Sequence, residues 1–210
     1  NGTTVPWSWA SSRVFFGNTT VGVETLTVPA DTALVDFTDR LLTFTHFLVY
    51  AASSLVEQTT PRVHRLVDAV ASVSNVEFVD QDLDSEELGG MVAWTQPEYS
   101  ECIDYYSVYL AESAEGLGRR QVEGDVAVGT NSLLLLPETP LASFTHLSVF
   151  TKSSLAEQST PVSLALADTA AQVLRLSFPD RDLDVGDLGG LLTWSPPEDA
   201  GQVAHYAVYF

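Results

Sequence analysis

Basic residues are scarce in this chain: nine Lys and Arg stand against 28 Asp and Glu in 210 residues, a formal charge of −19 with neutral histidines. A surface of that sign is repelled by polyphosphate and releases no counterions from it, so nucleic acid and anionic membrane are poor partners. Cysteine occurs once, at Cys102, which excludes an intramolecular disulfide framework and any multi-cysteine zinc site. No run approaches the roughly 18 consecutive apolar residues that a membrane helix needs, and no membrane insertion is expected. The opening Asn1-Gly2-Thr3-Thr4 lacks the basic and apolar regions of a signal peptide and reads as the start of a mature chain or of a piece. A phosphate-binding glycine loop, a Gly-x-Ser-x-Gly elbow and a His-Glu-x-x-His pair are all missing. Catalysis has no visible seat, and a non-enzyme is expected.

What is present is apolar enough to fold, with 45% hydrophobic and 10% aromatic residues, well outside the range of disordered chains. It is also periodic. Phe44-Thr45-His46 recurs as Phe144-Thr145-His146, Ser53-Ser54-Leu55-Val56-Glu57-Gln58 as Ser153-Ser154-Leu155-Ala156-Glu157-Gln158, and Leu88-Gly89-Gly90 as Leu188-Gly189-Gly190. Residues 44–110 align on 144–210 without a gap, with 29 identities in 67 positions. Self-similarity at a fixed offset of 100 is the mark of an array of like units. Upstream the match loosens: Arg13 through Gly22 resembles Arg120 through Gly129, Pro29 matches Pro137, and about eight extra residues precede Phe44.

Within each copy apolar residues alternate with period two, as in Tyr106-Ser107-Val108-Tyr109, Phe144 to Phe150 and Val162 to Leu166. Alternation of this kind predicts half-buried strands, and Gly-Gly, Pro-Pro-Glu-Asp and Gly-Thr-Asn-Ser read as turn punctuation about every ten residues. Short strands at that spacing in a 100-residue unit predict an all-β fold of antiparallel sandwiches.

Val92-Ala93-Trp94-Thr95-Gln96-Pro97, followed by Ile103 to Tyr109, resembles the second and third strands of a fibronectin type III domain, and Leu192 to Pro197 with Tyr206 to Tyr209 repeats it. Leu135 to Thr139, Leu147 to Phe150 and Ser159 to Leu164 are similar to that family's last three strands. Phe44 and Phe144 stand near where the family often carries a corner tyrosine. The combined Asp-x-Asp-x-Asp, Leu-Gly-Gly and Trp-x-x-Pro unit is also similar to large tandem-repeat surface proteins of microalgae such as dinoflagellates. The resemblance implies tandem fibronectin-III/Ig-like sandwiches in an unusual phase. Residues 69–168 make one complete repeat, 1–68 carry the later strands of a preceding one, and 169–210 the first three strands of a following one. Either the chain is a window on a longer array, or trailing strands complete the leading half of a neighbour by strand complementation.

Asp80, Asp82 and Asp84, repeated as Asp180, Asp182 and Asp184, place carboxylates at alternating positions of a turning loop, where they could converge on a calcium ion. The plainer reading is a solvated acidic loop with Leu83 and Leu183 dipping into the core. Trp94 and Trp194, in mid-strand, are expected in the core, whereas Trp7 and Trp9 fall outside the repeat and are candidates for an interface. Asn1 and Asn18 open sequons and are glycan acceptors if the chain is secreted. His46 and His146 occupy equivalent strand positions without a triad partner and read as structural. Cys102 sits in a turn, has Gln202 as its counterpart in the next copy, and reads as a passenger thiol. Together these features point to an extracellular or cell-surface structural protein that builds a fibre, sheath or appendage with itself as partner. The alternative is a recognition module for carbohydrate or a protein receptor, assisted by calcium.

Overall fold

The computed structural model describes residues 13–35 and 43–210. Its regular elements are twelve β-strands, all paired antiparallel, with no helix among the described residues. Two compact units divide the chain, Asn1–Ala69 and Val70–Phe210.

In the second unit, β3 (Ser74–Phe78), β4 (Glu87–Thr95) and β8 (Ser132–Pro140) form one sheet in the order β3-β4-β8. The other sheet runs β10-β9-β5-β6, from β5 (Tyr105–Ala111), β6 (Arg120–Gln121), β9 (His146–Lys152) and β10 (Val162–Ala165), with β7 (Val126–Ala127) also on β5. The period-two runs of the sequence become β5, β9 and β10. Their inward side chains, Tyr106, Val108, Leu110, Leu147 and Val149, meet Leu88, Val92, Trp94 and Leu135 of the facing sheet in one buried cluster. Fully burying such a side chain contributes about 1.5–3 kcal/mol, so this cluster is the main source of the sandwich's stability. At its centre Trp94 and Tyr106 pack edge to face at 5.3 Å, the preferred geometry for aromatic quadrupoles.

Gly89-Gly90 is not a turn. Both residues lie inside β4, where the pairing with β8 slips between Leu88 and Gly90. The reason is close approach: a Cβ on Gly89 would stand 2.9 Å from the Pro137 Cα, and one on Gly90, at φ +150°, 2.6 Å from the Val79 carbonyl oxygen. Glycine is what the bulge accepts.

The remaining strands are short. β1 (His46–Val49) pairs β2 (Arg62–Arg65), and β11 (Leu174–Ser177) pairs β12 (Thr193–Ser195), each pair a separate two-stranded sheet. Residues 23–30 and 203–210 carry no strand at all, although their counterparts in the complete sandwich, β8 and β5, are among its best-paired strands. Backbone groups form a ladder only when a neighbour supplies the other half, and neither segment has that neighbour among the described residues of its own unit.

Candidate functional site

The acidic loop joins β3 to β4, and its first two carboxylates are buried rather than solvated: Asp80 is 3% and Asp82 8% exposed. Asp80 Oδ1 accepts the backbone N–H groups of Asp82 (3.2 Å) and Gly89 (2.9 Å), while Oδ2 accepts that of Thr169 (2.9 Å). Asp82 Oδ1 accepts the Asp84 N–H at 3.1 Å, and its Oδ2 the Glu138 N–H at 2.7 Å. Alternating aspartates therefore make a chain of Asx-type turns, in which the Asp80 and Asp82 carboxylates also reach distant backbone groups. The expectation of Leu83 and Leu183 in the core is corrected at Leu183, which is almost wholly exposed, and Leu83 is half-buried. Backbone donors, not apolar contact, are what draw this loop inward.

Of the residues nominated for a cation, Asp82 and Asp84 converge with Glu87, their oxygens lying within 4.8 Å of one another. Asp80 faces the backbone instead. Burial, with the neighbouring Glu138 second, pushes the Glu87 carboxyl above its ordinary value. In the second copy Asp180 Oδ1 again accepts the N–H groups of Asp182 and Gly189, both at 3.0 Å, and Asp182 Oδ1 that of Asp184 at 3.1 Å. The Gly189 N–H, followed by that of Asp182, holds the Asp180 carboxyl below the usual range. The second oxygens of Asp180 and Asp182 have no counterpart to Thr169 or Glu138 among the described residues.

The same incompleteness extends to the apolar side chains. Leu188, Tyr206 and Val208 are 64%, 42% and 59% exposed, whereas Leu88, Tyr106 and Val108 are each 0% exposed. Trp194, expected in the core, is half-buried. It nevertheless packs edge to face on Tyr206 at 5.5 Å, repeating the Trp94–Tyr106 pair. These residues line a groove of about 570 Å³ walled by Phe178, Leu188, Leu192, Trp194 and Tyr206. Its walls are predominantly apolar.

The first unit carries the other half of the pattern. Its Gln58 N–H bonds the Ala51 carbonyl at 2.8 Å, as Gln158 bonds Thr151, and its Leu66 N–H the Thr45 carbonyl at 2.8 Å, as Leu166 bonds Thr145. Arg13 lies over Tyr50 at 4.7 Å and bonds Glu57 at 2.9 Å. In the complete sandwich Arg119 lies over Phe150 at 4.2 Å and bonds Glu157 at 2.6 Å. The sequence aligns Arg13 with Arg120, but it takes the part of Arg119. Asp31 and Glu138 share a left-handed backbone, φ 59° and 62°, and each is followed by a threonine hydroxyl bonded to the carbonyl three residues back. That correspondence places Asp31 where Glu138 stands, at the same offset of 107 that aligns Arg13 with Arg120 and not at the 108 of Pro29 and Pro137.

Asn18 is exposed, and Cys102 is exposed in a turn. His46 and His146 begin β1 and β9, each with Nδ1 within 2.9 Å of the preceding threonine hydroxyl. Asn1, Trp7 and Trp9 lie outside the described residues. Comparison with known proteins gives no significant match to any family model, curated protein or solved structure.

Proposed function

We propose that this protein is a non-enzymatic structural component: tandem fibronectin-III-like sandwiches that build an extracellular fibre, sheath or surface appendage. The observation that carries the reading is the contrast between copies. The positions that make the core in one repeat are uncovered in the next, while the strands able to cover them stand at the other end of the chain. In an array of like units each repeat touches its neighbours, and continuity along the array comes from completing each sandwich. The charge of −19 keeps the sides of such an array solvated and resists lateral clumping. The sequon at Asn18 agrees with a surface role.

Negative-stain imaging of the native material tests this directly. Filaments or sheets with a repeat of one sandwich length are expected. Dispersed particles that bind a glycan or receptor saturably would instead establish the recognition reading.

A further inference from the structure

Resting on that reading, we infer that the uncovered face of residues 169–210 is a docking site for residues 13–35 and 43–69 of a second copy of this chain, in one defined register. The complete sandwich supplies the template. There β5 pairs β9 with Val108 opposite Val149, Tyr106 opposite Thr151 and Leu110 opposite Leu147. Moving β5 forward and β9 back by the repeat offset sets Val208 opposite Val49 of the second copy, Tyr206 opposite Ala51 and Phe210 opposite Phe47. Both Val208 and Val49 are well exposed, whereas Val108 and Val149 are buried. On the other sheet β4 pairs β8 with Val92 opposite Leu133 and Gly90 opposite Leu135. The Asp31–Glu138 correspondence then sets Leu192 opposite Leu26 and Gly190 opposite Val28. Leu26 and Val28 lie exposed in a segment that forms no ladder of its own.

Polar groups complete in the same register. Asp82 Oδ2 takes the Glu138 N–H, so Asp182 Oδ2 is placed for the Asp31 N–H of the second copy. Asp80 Oδ2 takes the Thr169 N–H, so Asp180 Oδ2 is placed for that of Ala69. A generic apolar partner would satisfy the groove but not these two carboxylates. The face and its complement are different surfaces, so the contact is head-to-tail rather than a two-fold dimer.

The test uses the 210-residue chain with Cys102→Ser as background. One batch carries Val49→Cys and the other Val208→Cys, both at exposed positions outside the core cluster. Directly opposed residues on antiparallel strands have Cα atoms about 4.5–5.5 Å apart, within disulfide reach. Mixing under mild oxidation should give covalent dimers several-fold faster than either batch alone, and much faster than a Tyr209→Cys partner. Sedimentation of the unsubstituted chain should show mass rising with concentration, and Val208→Asp should weaken that association about 100-fold or more, since it buries an unpaired charge. Assembly without the 49–208 crosslink overturns the register while leaving the fibre reading intact. A chain that stays monomeric at about 100 µM overturns the second-copy assignment. Filaments in the native material would then still uphold an array.

Discussion

Asp80 and Asp180 have the same neighbours in sequence and different work to do. Asp80 is buried and accepts three backbone N–H groups, one of them from Thr169; Asp180 is exposed and accepts two. Leaving buried donors unpaired costs about 1–3 kcal/mol, so Asp80→Ala should destabilise the chain by about 3 kcal/mol in denaturant unfolding. Asp180→Ala should leave the unfolding midpoint of the unassembled chain nearly unchanged, because water replaces the lost acceptor. Glu87 offers a contrast of opposite sign. Burial raises its folded pKa above the ordinary 4.5, so the folded state holds the proton more tightly than the unfolded one, and stability falls as pH rises between the two values. Glu87→Gln should therefore raise Tm at neutral pH, and the gain should vanish below about pH 4, where both states are protonated. The sequence announces this loop as acidic and periodic. It does not announce burial of the aspartates, because the donors that draw them in, Gly89, Glu138 and Thr169, are separated from them by 9, 56 and 89 residues.

Among the elements, strands were legible wherever a buried face produces alternation, as in β5 and β9. They were illegible where pairing depends on chain elsewhere. Residues 206–209 read Tyr-Ala-Val-Tyr, as good a strand pattern as 106–109, yet form no ladder. Local pattern states what a segment can do, and the partner decides whether it does. The reverse error concerns Gly89-Gly90, which resembles a turn but sits inside β4 because two backbone segments pass too close for a side chain. Gly90→Ala should cost about 2 kcal/mol, the scale of a forced left-handed backbone, added to the clash with the Val79 carbonyl, and thermal melts would register it. Asp125 ties a different pair of elements. Its carboxylate accepts the Lys152 ammonium at 2.7 Å and the Ser107 hydroxyl at 2.8 Å, and these bonds, that of Lys152 first, hold its pKa below 3.8. A depressed folded pKa gives stability that is present above pH 3.8 and lost as pH falls through the folded value. Asp125→Asn should thus lower Tm at neutral pH and converge with the parent chain in strong acid.

On the scale of the whole molecule, charge and assembly act against each other. Residues 69–168 hold 16 of the 28 acidic residues and three of the nine basic ones, whereas 13–68 and 169–210 hold six acidic residues each, with four and two basic. The complete sandwich carries most of the net negative charge, and the two flanks that are proposed to meet carry little. Their contact is apolar and hydrogen-bonded, so salt has little attraction to screen within it. What salt does screen is the repulsion between the acidic sandwiches on either side of each junction, over a Debye length of about 8 Å at 0.15 M and about 30 Å at 0.01 M. Association should therefore tighten as ionic strength rises, opposite to the behaviour of an interface held by complementary charge. Sedimentation velocity between about 0.01 and 0.3 M NaCl should show the weight-average mass increasing with salt at fixed protein concentration. A decrease would mean that oppositely charged patches, not the exposed halves of two cores, bring the copies together. Sulfate should act more strongly than chloride at equal ionic strength, because it also favours burial of apolar surface.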